Sequence, residues 1–323
     1  IRLHELPPFY LCIKIVDESP KNKPKYLHIK ILFVKIHMSP VFVALTPILW
    51  GTTYLITGKY LPEWPALWLS VIRAIPPGLL LLAIRPGLPT WRQVPYLLLI
   101  SFLYIGAFFP LLFLSALLLP GSVAGTLAAT LPLMLLGLQW FFLKRVPSVK
   151  AICCACIGLG GVMLLLGPGS GFNLLGVSAA LFSVLLIGIC SMLLQQFPWE
   201  GDLINFTGWQ LLLGGLMILP LAFWLEGSMP VPATGNEWFG LAWLSLLNSA
   251  LAYVLWIWGM THLTLNRIGL ISLLNPLTAV LAGSVLMHEA LSHWQWLGVM
   301  AVFASLLLEL LFRAKRSSTA VSQ

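Results

Sequence analysis

The chain has 323 residues, of which 59% are hydrophobic and only 9% charged. A soluble domain carries roughly 25% charged residues, so this chain cannot clothe a water-facing surface, and lipid is its expected solvent. Its net charge of +8 falls half on residues 1–37, with seven bases against three acids, and half on the remainder, with eleven against seven. No basic face with interleaved aromatics is available in water, so nucleic acid is excluded as a partner.

Residues 1–37 do not share the apolar pattern that follows. They hold Arg2, Lys14, Lys21, Lys23, Lys25, Lys30 and Lys35, and Met38 stands directly before the first apolar run. The expectation is a non-core extension, with Met38 as the native start. The alternative is a basic cytoplasmic arm that binds anionic lipid. The first apolar run lacks a small-residue cleavage site and reads as the start of an array, not as a secretory signal.

A membrane span needs about 20 mostly apolar residues. Ten segments qualify, at 40–58, 66–84, 95–115, 122–143, 149–167, 174–194, 204–224, 237–260, 267–287 and 294–312. Span 1 carries Trp50-Gly51-Thr52-Thr53-Tyr54 at mid-membrane depth. The threonines either bond back to their own helix or face a cavity. Span 2 holds Arg73 about seven residues in, roughly 10 Å below the outer surface at 1.5 Å per residue. An arginine there faces a cavity, a solute or a partner, unless its long stem snorkels to the interface. Pro76-Pro77-Gly78 just beyond it is expected to break or kink the helix.

Further along, Gln139 lies in span 4, Gln210 in span 7, Asn248, Tyr253, Trp256 and Trp258 in span 8, and Asn275 before Pro276 in span 9. Trp50, Tyr253 and Trp256 lie too deep to be interface anchors alone, which leaves packing or stacking on a planar solute. The candidate solute-binding set is therefore Trp50, Thr53, Tyr54, Arg73, Gln139, Gln210, Asn248, Tyr253, Trp256 and Asn275.

Other spacings carry less chemistry. Cys153, Cys154 and Cys156 sit inside an apolar span without a second ligand pair and read as small packing residues. His288 and His293 are five apart, about 140° around a helix, so they do not share a zinc-binding face. Glu309 has Arg313 four residues on, a helix-end ion pair. Gly121 with Gly125, and Gly167, Gly169 and Gly171, read as close-packing positions. No metal, cofactor or catalytic set is expected.

The array repeats. Gly125 precedes Pro132 by seven residues and a polar break, Lys144-Arg145, follows it by twelve. Gly269 precedes Pro276 by seven and His288-Glu289 follows by twelve. The breaks differ in charge, which points to halves inserted in opposite directions. With the start of span 1 placed inside, the inside loops hold nine of the Lys and Arg residues and the outside loops only Lys59, so both ends are expected in the cytoplasm.

Ten spans, Trp50-Gly51, Arg73 in span 2, Pro132 and Pro276 in spans 4 and 9, and Glu289-Ala290-Leu291-Ser292 followed by Trp294-Gln295-Trp296-Leu297-Gly298 resemble EamA-type permeases of the drug/metabolite transporter superfamily. Thr52-Thr53-Tyr54 with Arg73-Ala74 and Pro77-Gly78 is similar to the pigment- and metabolite-export (PecM-like) branch. The resemblance covers about 40–312. It implies two inverted five-helix repeats, 38–168 and 169–313, around a central cavity, with a cytoplasmic tail at 314–323. It also implies a bacterial inner-membrane exporter of small metabolites such as amino acids or aromatic compounds. Lys144-Arg145-Val146-Pro147 departs from the more usual Glu-containing turn after span 4, which removes an acid from the first half. The expected function is alternating-access export of a neutral or zwitterionic solute, without a carboxylate-based proton step. A membrane scaffold and an integral membrane enzyme are the alternatives. The oligomeric state is not legible.

Overall fold

The computed structural model describes residues 13–15, 29–31, 40–144, 146, 148–165, 173–197, 199, 201–262, 271–272, 274–288 and 291–321. The chain divides into two units, Ile1–Val41 and Phe42–Gln323. In the first unit, strand β1 (Ile13–Ile15) pairs antiparallel with β2 (Ile29–Ile31), Lys14 opposite Lys30. This strand pair is a departure from the all-helical expectation. Arg145, Pro147, Gly167, Gly169, Gly171, Arg267 and Glu289 lie outside the described residues, as do the side chains of His262, Glu309 and Arg313.

The regular elements described in the second unit are all helical. Helix α1 spans Pro40–Tyr60, α2 Ala66–Ile84, α3 Val94–Ser101 and α4 Phe108–Leu118. Next come α5 (Gly121–Ala128), α6 (Leu131–Leu143), α7 (Val149–Leu165), α8 (Leu174–Gln196) and α9 (Leu203–Glu226). Then follow α10 (Gly235–Ala242), α11 (Ala252–His262), α12 (Leu274–Leu281) and α13 (His293–Val321). Wide π-helical turns join α3 to α4 (Phe102–Ala107) and α10 to α11 (Trp243–Leu251), and a third, Ala282–Leu286, follows α12. Among the described residues, six helical runs are long and apolar enough to cross a membrane, and Val149–Leu164 and Leu274–Leu286 are shorter apolar helices.

The helices that carry prolines behave differently. The run at 121–143 is interrupted at Ala129 and Thr130, just before Pro132, whose missing N–H makes an interruption cheap there. By contrast, α2 runs unbroken through Pro76 and Pro77 to Ile84, so the expected break is absent. Packing holds it: α2 lies along α9, and Gly78 sits so close that a Cβ there would stand 2.7 Å from the Leu212 backbone nitrogen.

The interior is organised by helix pairs. Besides α2 on α9, α7 packs along α13, α4 along α8 and α5 along α12. At the α5–α12 crossing, a Cβ on Gly125 would overlap the Ala279 methyl, so Gly125 is a close-packing position, as its spacing suggested. Lys144 and His288, twelve residues after Pro132 and Pro276, both adopt left-handed backbone, with φ of 53° and 55°. Bulky residues rarely do so. The repeat seen in the sequence thus recurs as backbone geometry, although the side chains differ.

Both ends of the α2–α9 pair are tied by hydrogen bonds. At one end the Glu226 carboxylate accepts from the backbone N–H groups of Leu67 (3.0 Å) and Trp68 (3.1 Å), and Trp68 Nε1 donates to the Gly227 carbonyl at 3.2 Å. A carboxylate from α9 therefore caps the free donors at the start of α2, where the helix dipole also favours negative charge. At the other end Asn205 donates to the carbonyls of Arg85 (2.8 Å) and Gly87 (3.1 Å), and Trp209 Nε1 donates to Gly87 at 2.7 Å. Glu226→Ala should lower stability by about 1–2 kcal/mol, the usual cost of a lost N-cap. Thermal unfolding in detergent checks this, and an unchanged midpoint would mean that water replaces the cap.

Candidate functional site

A cavity of ≈ 70 Å³ is lined by Trp50, Thr53, Tyr54, Arg73, Phe108, Leu112, Ala128, Ser183, Val184, Ile187, Tyr253 and Asn275. Helices α1, α2, α4, α5, α8, α11 and α12 each contribute. The wall is aromatic and aliphatic, with polar groups from Thr53, Arg73, Ser183 and Asn275.

Trp50 is fixed by its indole N–H, which donates to the Asn248 carbonyl at 3.0 Å. That carbonyl belongs to the wide turn Trp243–Leu251. The Trp50 ring meets Tyr253 edge-on at 5.4 Å and Trp256 at 5.3 Å between centroids, and Tyr253 in turn meets Tyr104 at 5.7 Å. Edge-to-face contacts of this kind hold rings in fixed orientation. Asn248 Nδ2 donates to Thr53 Oγ1 at 3.0 Å, tying α1 to the wide turn. Thr52 donates back to the Leu49 carbonyl at 2.6 Å and accepts from Trp243 Nε1 at 2.9 Å. Thr52 is thus spent on structure, whereas Thr53 and Tyr54 reach the cavity.

Arg73 is 2% exposed. Its Nε donates to Ser249 Oγ at 3.3 Å, and the guanidinium carbon stands 4.8 Å from the Phe109 ring centroid and 5.7 Å from that of Phe113. Among the described residues Nη1 has no hydrogen-bond partner. The described carboxylates, Glu63, Asp202, Glu226 and Glu237, all sit in loops or at helix ends. Arg73 is thus buried against aromatic faces, not snorkelled to an interface. Ring quadrupoles offset part of its desolvation, by about 2 kcal/mol or more when water is excluded.

Six of the ten residues picked from sequence line the cavity: Trp50, Thr53, Tyr54, Arg73, Tyr253 and Asn275. Asn248 and Trp256 stand behind them, holding Thr53 and Trp50. Gln210 is 1% exposed with Nε2 unpartnered, and Gln139 is half-buried near the end of α6; neither lines the cavity. Sequence reasoning missed Phe108, Leu112, Ala128, Ser183, Val184 and Ile187. Only Ser183, the middle of three serines in an otherwise apolar span, carried a signal. The cysteines lie in packed helices, Cys154 buried and Cys153 and Cys156 at the outer face of α7. Among the described residues no cluster of His, Cys, Asp or Glu is placed to hold a metal.

The model of the EamA-like transporter family matches residues 37–167 and again residues 174–311. The chain belongs to the EamA-like transporter family. It is 32% identical to protein PecM of Dickeya dadantii over 270 residues, covering 83% of this chain and 90% of PecM. This places it in the PecM-like branch of EamA-type permeases within the drug/metabolite transporter superfamily. It is 24% identical to the uncharacterized transporter sll0355 of Synechocystis, over 80% of this chain and 86% of that protein. It is 27% identical to the uncharacterized inner membrane transporter YedA of Escherichia coli, over 85% and 94%. A solved crystal structure at 21% identity shares the fold, with a TM-score of 0.62 over 85% of this chain and 98% of that one. The EamA match, the named relatives and the apolar helices make the chain a multi-pass inner-membrane transporter, whose partners are the bilayer and a small-molecule solute.

Proposed function

We propose that this EamA-type protein exports a small neutral or zwitterionic metabolite, an amino acid or a planar aromatic compound, by alternating access. The observation that carries this reading is the division of the cavity wall. Trp50, Thr53, Tyr54, Arg73, Phe108, Leu112 and Ala128 come from the first family match, and Ser183, Val184, Ile187, Tyr253 and Asn275 from the second. A site shared between halves opens to either side when one half rocks against the other.

The reading takes the array as ten spans in two inverted five-helix repeats, 38–168 and 169–313, with both ends in the cytoplasm of a bacterial cell. Three observations support this. The pairs α2–α9, α5–α12 and α7–α13 each join corresponding helices of the two halves, an arrangement compatible with a two-fold axis in the membrane plane. Lys144 and His288 share their left-handed turn. The Lys and Arg bias of the loops favours inside termini. The cavity of ≈ 70 Å³ is well below the roughly 300–1,000 Å³ of ligand pockets, so rocking must widen it to admit a solute.

The test is counterflow in proteoliposomes, using the full chain and a panel of amino acids and planar aromatic metabolites, with and without a pH gradient. Saturable counterflow without a gradient is the expected result. Flux seen only with a pH gradient would reveal a titrating coupling group. No flux from folded protein would remove the transport reading.

A further inference from the structure

The polar groups left idle on residues that line the cavity point to what its occupant carries. Arg73 and Asn275 both line it. Among the described residues, Arg73 Nη1 and Asn275 Oδ1 are buried without a hydrogen-bond partner. One is a charged donor and the other an acceptor. A buried donor or acceptor that lacks a partner keeps its full desolvation cost, and a buried charge without a counter-charge is the worst case. A solute that brings the missing partners relieves both. Arginine offers a planar fork that matches a carboxylate. Among the described lining residues there is a single arginine, and most of the rest of the wall is aromatic and aliphatic, through Trp50, Phe108, Leu112, Val184 and Ile187. One negative charge balances such a site, and a phosphate dianion overfills it.

Building on the transport reading above, we infer that the solute is a monocarboxylate bearing an N–H donor, its carboxylate paired with Arg73 and its N–H with Asn275 Oδ1, and that the carrier works as an exchanger. The exchange follows from the same idle charge. When the loaded cavity closes, guanidinium and carboxylate neutralise each other. When the empty cavity closes, the guanidinium is stripped of water with only Ser249 and the faces of Phe109 and Phe113 in return, and no counter-charge. The empty return is therefore the slow limb, and a second solute on the far side speeds the cycle.

The experiment uses the full wild-type chain in proteoliposomes, so it does not depend on a variant folding. The probes are L-tryptophan, L-phenylalanine, L-alanine and anthranilate, each beside its carboxamide, which keeps the shape and removes the negative charge. At least one acid should show saturable counterflow at least tenfold faster than its amide. Uptake of that acid should be at least tenfold faster into vesicles preloaded with it than into empty ones. Thermal stabilisation of the detergent-purified protein by the acid and not the amide gives a readout independent of flux. Acid and amide moving equally would overturn the carboxylate inference and leave transport standing. Equal rates into loaded and empty vesicles would overturn exchange. Flux of other metabolites with none of the acids would also overturn the inference and spare transport, whereas no flux of any solute would overturn both.

Discussion

Replacing Arg73 with methionine should cut solute flux by more than tenfold without lowering the unfolding midpoint. The two halves of this expectation have one cause. The guanidinium is almost fully buried, holds only a long hydrogen bond to Ser249 and two aromatic faces, and leaves Nη1 unpartnered. Replacing buried ionic groups by apolar residues of similar volume is often neutral or stabilising by about 1–4 kcal/mol. The lost cation–π contacts offset part of that gain, by about 2 kcal/mol where water is excluded. Methionine keeps the length and flexibility needed to fill the space. Loss of function with retained stability is the signature of a group kept for its solute. Flux and thermal unfolding are measured on the same preparation. If the midpoint falls by several degrees while flux persists, Arg73 is a structural prop.

The second large effect is expected at the α5–α12 crossing. Gly125→Ala should destabilise the protein by about 1–3 kcal/mol, the usual cost of overpacking a filled interior. The added methyl would overlap that of Ala279, and Tyr54 closes the other side at 3.8 Å. Pairing it with Ala279→Gly removes the obstructing methyl and should recover most of the loss. A double-mutant cycle by thermal unfolding isolates this coupling. Additive losses in the double variant would show that the helices separate to accommodate the methyl. Because Tyr54 lines the cavity beside this crossing, any displacement of α5 should also be felt in transport.

How much of this was legible in the sequence depends on the type of residue. Arg73, Trp50, Tyr253 and Asn275 announced themselves because polar or amphipathic groups at mid-span are costly in lipid and need a reason to be there. Phe108, Leu112, Val184 and Ile187 did not. In lipid the outer face of a span is as apolar as its inner face, so hydrophobic periodicity loses its power to say which side faces a cavity. Gln139 and Gln210 show the converse: a polar residue at depth is not always turned toward the cavity. Pro76 and Pro77 misled for a related reason. Their breaking tendency is local, whereas the packing of Gly78 against α9 spans well over a hundred residues of sequence and overrides it. The wide turn at Trp243–Leu251 left no mark at all, since nothing in its composition sets it apart from an α-helix.

That wide turn also bears on how the cavity can be remodelled. A π-helical turn accommodates one extra residue inside a helix while the helix continues on either side. In Trp243–Leu251 the hydrogen-bonding step is five; Asn248 within it holds Thr53, and Tyr253, just past it at the start of α11, lines the wall. A single-residue insertion or deletion within such a turn can exchange which side chains reach the solute while the loops and helix crossings stay where they are. Length variation inside a span, commonly dismissed as alignment error, is therefore a route by which permeases of this architecture can acquire new cargo.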